Sequence, residues 1–214
     1  MATFHNINSN RKNAVIYNIS CVHIGSRACH EKVAKELVER IADEKAYATF
    51  GGDQLEGKPV RSNHFDPHSL VKGLETIDQQ VDYFVKLVKP ISKRILMIQT
   101  GNHELYLLPD HDIIGAICDG LRRPEIKGDY QAWVDFCGVI MHFYHGRSSM
   151  PTGGDDPFKQ EGSKLSWLKK KLKILSRRAN AQYMAHTHQC HVAPPSVGYP
   201  TLGNIVNDDV AGFQ

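Results

Sequence analysis

The hydrophobic positions of this chain alternate between short unbroken runs and longer periodic stretches. Residues 14–20, 46–50 and 94–99 are compact apolar runs, the first of them rich in β-branched and aromatic types, and each reads as a buried strand. Between the first two, residues 28–44 carry Val33, Ala34, Leu37, Val38 and Ile41 at helical spacing. A second helix is predicted from Ser69 to Val88, with Leu70, Leu74, Ile77, Val81, Phe84, Val85 and Val88 on one stripe and Pro90 ending it. A short helix is expected over 112–122, and a strand pair over 131–136 and 138–144, turning near Gly138. Residues 163–178 read as a basic amphipathic helix with Leu165, Leu168, Leu172 and Leu175 on its apolar stripe, and 181–185 as a last strand. Residues 54–69 and 146–162 read as loops, and the Pro-rich tail after His188 as loops and short β pieces. Strands alternating with helices, followed by a β-rich second half, predict an α/β fold with a mixed sheet or layered sandwich flanked by helices. At 214 residues the chain suits a single domain, 1–214.

Composition narrows this little further. Hydrophobic residues make up 41%, enough for a large core, and a formal net charge of +3 gives only a weak general pull toward nucleic acid. The five cysteines, Cys21, Cys29, Cys118, Cys137 and Cys190, form no CxxC pair and are odd in number, which argues for a reducing compartment. The N-terminus has no apolar core of signal-peptide length, and no stretch approaches a membrane span. The expectation is a soluble, cytoplasmic protein with no membrane partner.

The informative polar residues sit where the strands end. They are Cys21-Val22-His23, Gly51-Gly52-Asp53, Gly101-Asn102-His103-Glu104, His145-Gly146 and Ala185-His186-Thr187-His188. Strand ends are where open α/β folds place their chemistry. Two divalent ions can activate a water and clamp the oxygens of a phosphoester, and they need a bridging carboxylate with neutral imidazoles and amides around it. Asp53 is the natural bridge, because Gly51 and Gly52 free the backbone to turn there. Asn102 supplies an amide oxygen, and His145, His186 and His188 supply imidazoles. On an extended segment His186 and His188, at i and i+2, point to one side. His103 is better placed to give a proton to a leaving oxygen than to bind metal; Glu104 orients that ring or favours the helix N-terminus. Arg147 follows His145 closely enough to hold a phosphate. His142 is expected to face away from His145.

In order and spacing these segments resemble the calcineurin-like metallophosphoesterase superfamily, whose pattern is Asp-x-His, Gly-Asp, Gly-Asn-His-[Asp/Glu], His-Gly after a strand, and Gly-His-x-His. The resemblance spans residues 14–188. It implies a four-layer α-β-β-α sandwich with central mixed β-sheets. It makes His23 and His188 ligands of a first metal, Asp53 the bridge, and Asn102, His145 and His186 ligands of a second, with His103 on the substrate phosphate. The implied cofactors are two divalent ions, of Mn2+, Zn2+, Fe or Ni. The implied activity is metal-dependent phosphoester hydrolysis by in-line attack of a metal-bound hydroxide. The substrate expected is a phosphodiester such as a nucleotide or nucleic acid, and a phosphomonoester is the alternative.

Two positions depart from the pattern. Ala185 replaces a Gly, a small change. Cys21 replaces the opening Asp, and three readings stay open: a thiolate ligand favouring softer ions such as Zn2+, a non-ligand that leaves the first metal weakly held, or a substitution that impairs the enzyme. Asp66-Pro67-His68 repeats the Asp-x-His string inside a Pro-containing loop and is taken as a decoy. The lysines of the basic helix are read as a solvated face in preference to a nucleic-acid surface.

Overall fold

Four parallel strands in the order β2 (Ile16–Ile19), β3 (Tyr47–Phe50), β4 (Ile95–Gln99) and β5 (Lys127–Gly128) form one sheet. A second sheet has the order β1 (Ala2–Ile7), β6 (Gln131–Phe136), β7 (Val139–His145) and β8 (Ala181–Ala185). In it β6 and β7 are an antiparallel hairpin, while β1 runs parallel to β6 and β8 parallel to β7. The structure, a computed structural model, describes residues 2–9, 13–57, 66–108, 110–146, 151, 155–175 and 179–188. Within these the fold is mixed α/β, with two sheets and five α-helices: α1 (Glu31–Asp43), α2 (Ile77–Val88), α3 (Asn102–Leu107), α4 (Ile113–Gly120) and α5 (Pro157–Leu175).

Two apolar clusters hold these elements. The larger joins the parallel sheet to α1, α2 and α4: Ile19, Phe50, Ile95 and Ile98 meet Ile41, Phe84, Val88 and Ile117, and Phe50 and Phe84 contact edge to face at 5.2 Å. The smaller brings Leu96 and Met97 of β4 against Ala132, Val134, Met141 and Phe143 of the β6–β7 hairpin, so the two sheets share a core. β4 is buried at every position, as expected of a parallel strand covered on both faces.

The elements differ from the sequence reading most at α2, α5 and β1, and the short α3 and β5 were not predicted either. α2 begins at Ile77, not at Ser69, because Thr76 and Gln79 make a reciprocal capping box there. Upstream of it, the backbone turns at Gly73 (φ +89°) and Leu70 bridges back to Ser26, so Leu70 and Leu74 are apolar because they pack, not because they continue the helix. α5 begins at Pro157, at the first helical position where a missing N–H costs nothing. β1 was not anticipated: Thr3, His5 and Asn6 interrupt its apolar pattern, and six residue pairs with β6 define it instead. The tail beyond His188, with His191, lies outside the described residues, as do Arg147, His64 and Arg177–Arg178.

His142 faces away from His145, as expected, and is fully buried beside Trp133, with ring centroids 4.6 Å apart. Burial pushes its pKa down to about 4, against a smaller upward pull from Gln182. The folded chain therefore keeps His142 neutral through a range where the unfolded chain protonates it. Its contribution is intact above about pH 6.5 and is lost as pH falls toward 4. We expect His142→Phe to remove about 2 kcal/mol of the stability difference between pH 7 and pH 5, read from urea melts of both proteins at both pH values. Equal pH dependence in the two would count against a buried neutral ring.

Candidate metal centre

The C-terminal ends of β2, β3, β4, β7 and β8 deliver the polar segments to one place. The chain leaving β2 stays paired with the chain leaving β3: Cys21 N donates to Gly52 O (2.9 Å), His23 N to Asp53 O (3.1 Å) and Ile24 N to Gln54 O (2.8 Å). Close backbone approach is needed here. A Cβ at Gly52 would fall 2.4 Å from His145 Nδ1, and one at Gly101 would fall 2.1 Å from Asp53 Oδ1.

The backbone is strained where the donors sit. Among the described residues, eight non-glycine residues have positive φ, and five of them are Cys21 (54°), His23 (53°), Asp53 (54°), His186 (80°) and His188 (50°). A left-handed non-glycine residue costs on the order of 1–2 kcal/mol, and such strain collects where side-chain aim matters more than local comfort. The His186–His188 segment is thus not extended, as the i, i+2 argument assumed. Both rings still turn inward, through two left-handed residues.

Asp53 and His145 form the buried floor, Asn102, His103 and His186 are half-buried, and His188 is exposed at the rim, so the centre opens to solvent on that side. His145 Nδ1 pairs with the Gly51 carbonyl at 2.8 Å and therefore carries the proton. Its Nε2 faces Asp53 Oδ2 at 3.1 Å and Asn102 Oδ1 at 2.9 Å. His186 Nδ1 lies 2.7 Å from the same Asn102 oxygen. On the other side His23 Nε2 is 3.4 Å from His188 Nε2 and 4.0 Å from Asp53 Oδ2. Cys21 joins both sides: donor atoms of Cys21, His23 and His188 lie within 4.8 Å of one another, and so do those of Cys21, Asp53 and His145.

Lone pairs of nitrogen and oxygen at these separations need a shared proton or cation between them. The electrostatics point the same way. Burial opposes charge on His145 and His23, yet Asp53 raises the former, while Cys21, Glu56 and Asp53 push the latter up to about 10. Burial raises the Cys21 thiol, but hydrogen bonds from His188 and His23 outweigh it and bring it down to about 6. Burial likewise raises Asp53, and His145 overrides it, down to about 2. The arrangement collects positive charge around thiolate and carboxylate, and this donor set fits divalent metal.

Two carboxylates complete the frame: Glu56, which the sequence did not mark, and Glu104, whose motif position was read but whose partners were not. Glu56 is buried with Oε2 3.2 Å from His23 Nδ1, behind the ring, a position that orients a ligating imidazole. The backbone carbonyl of Glu56 pairs with His103 Nδ1, which fixes the proton there and leaves Nε2 free. Burial lowers the His103 pKa, so its ring is neutral near pH 7. Glu104 does not touch that ring. Its fully buried carboxylate accepts from the backbone N–H groups of Asp53 (3.0 Å), Gln54 (2.8 Å), Leu55 (3.2 Å) and Gly101 (2.8 Å), tying the Asp53 turn to the start of α3. The signal available for Glu56 was a glutamate three residues after Asp53 and just before Gly57; nothing in the sequence marked its burial. Asp66 accepts from His68 N in its own turn, a local cap, and neither residue belongs to the donor groups.

Comparison with known proteins finds no matching family model and no matching curated protein. No helix among the described residues is long and apolar enough to cross a membrane.

Proposed function

We propose that the chain is a metal-dependent phosphoesterase acting on phosphodiesters, with a four-layer α-β-β-α architecture. The observation that carries the functional reading is the convergence of Asp53, Asn102, His145 and His186 on one side and Cys21, His23 and His188 on the other, with Asp53 within 4.0 Å of both His145 and His23. Asp53 would be the shared ligand, with Asn102, His145 and His186 available to hold one ion and His23 and His188 the other. When bound, two divalent ions lower the pKa of a water and offset charge on the phosphoryl oxygens.

The chain's own residues do the rest. Asp53 Oδ1 accepts from His103 N at 2.9 Å, which fixes the imidazole beside the donors. His103 Nε2 is the group that meets the departing oxygen: it takes up a proton as anionic substrate enters and passes it to the leaving alkoxide. Glu56 keeps His23 and His103 in register from behind.

The test is removal and return of metal. Chelator-treated protein is expected to hydrolyse bis-p-nitrophenyl phosphate at background rate, and two equivalents of Zn2+ or Mn2+ per chain to restore turnover above that of free metal. A fully loaded chain without turnover on mono- and diester substrates would overturn the enzyme reading and favour an impaired member of this fold. Faster turnover of p-nitrophenyl phosphate than of the diester would overturn the substrate class alone.

A further inference from the structure

We propose that Cys21 is a metal ligand whose thiolate, with the imidazoles of His23 and His188, makes one half of the centre selective for a thiophilic divalent ion such as Zn2+ over Mn2+ or Mg2+. This rests on the metal-centre reading above and decides what the odd residue at its first position does. Three observations carry it. The Cys21 sulfur belongs to two of the three donor groups among the described residues, with His23 and His188 in one and with Asp53 and His145 in the other, so it borders both halves of the centre. Its backbone is held in the left-handed region (φ 54°) by the Cys21 N–H bond to Gly52 O, which fixes the direction of the side chain. Each half supplies two imidazoles and faces Asp53; what sets them apart is the Cys21 sulfur beside His23 and His188, against the Asn102 amide oxygen between His145 and His186. Sulfur and imidazole favour Zn2+ and comparable borderline ions; carboxylate and carboxamide oxygens favour Mg2+ and Mn2+. The chain therefore carries a soft position and a harder position side by side.

The other described cysteines lie elsewhere: Cys118 is buried on α4, Cys29 sits before α1, and Cys137 is exposed in the β6–β7 turn, within reach of the Ile7 and Ser9 carbonyls. None belongs to a donor group among the described residues. They provide an internal control.

The probe is Co2+, titrated into reduced, chelator-treated full-length chain. A near-ultraviolet sulfur-to-cobalt charge-transfer band is expected in the unaltered protein and absent in Cys21→Ser and Cys21→Asp, while elemental analysis still finds cobalt bound in both. Competition between Zn2+ and Mn2+ should shift toward Mn2+ in Cys21→Asp, on the order of tenfold or more. A measurement that needs no variant is X-ray absorption at the zinc edge, where a sulfur shell at about 2.3 Å is expected. Cobalt binding with no such band, or with a band that survives Cys21→Ser, would overturn the thiolate ligand and leave the metal centre standing. A chain that binds neither Co2+ nor Zn2+ would overturn both.

Discussion

Asp53→Asn is expected to lower kcat on bis-p-nitrophenyl phosphate by roughly 4 kcal/mol of barrier, on the order of a thousandfold, while the protein stays folded. The two outcomes separate because of how Asp53 is held. Its Oδ1 accepts from His103 N at 2.9 Å, a bond that an asparagine oxygen keeps. Its Oδ2 faces His145 Nε2 at 3.1 Å, where an amide nitrogen can donate to the neutral ring. Little is therefore left unsatisfied in the fold. What disappears is the carboxylate charge shared between the two donor sets, within 4.0 Å of both His145 and His23. Elemental analysis should show a fall from two ions per chain to one or none, alongside the lost turnover. Turnover unchanged at full metal loading would mean that Asp53 is not the bridge.

The centre was legible in the sequence because its donors follow apolar strands and sit beside glycines. Asp53 behind Gly51-Gly52, Asn102 behind Gly101 and the His186–His188 pair behind residues 181–185 are each a strand stop followed by a ligand type. Those features are local, and local pattern reports them. Glu56 and Glu104 were not legible in the same way. Their partners are a ring nitrogen of His23 and the backbone N–H groups of residues 53–55 and 101, which only the folded chain brings close. A lone Glu after an Asp-containing turn reads as solvated until burial is known. The backbone strain at Cys21, His23, Asp53, His186 and His188 is likewise a tertiary effect: Asp and His visit positive φ more readily than most residues, but nothing local requires it of them here. The start of α2 was misplaced because Leu70 and Leu74 are in helical phase with a stripe they do not join, while the Thr76 capping box, also local, outranked that phase. β1 depends mainly on pairing with β6, which no local pattern reports.

Glu104→Gln should be among the most damaging isosteric changes in this molecule. The Glu104 carboxylate makes four bonds from backbone N–H groups, two on each oxygen: Gln54 and Leu55 on Oε1, Asp53 and Gly101 on Oε2. A carboxylate accepts on both oxygens, whereas a glutamine amide accepts on one and donates on the other. Whichever way the amide turns, two buried N–H groups lose their acceptor and face another donor. Each such group costs about 1–3 kcal/mol, so for the two together a loss of about 2–6 kcal/mol is expected in denaturant melts. The variant that removes charge from this position thus destabilises more than the same change at Asp53, although both carboxylates are buried and their backbones are linked. The metal centre should suffer as well, because the four bonds hold the Asp53 turn against the first turn of α3, where Asn102 begins. Weaker binding of both ions, measured by competition with a chelating dye, is expected even in the fraction that remains folded. If Glu104→Gln melts like the unaltered protein and binds metal equally well, the carboxylate is not the clamp that joins these two strand ends.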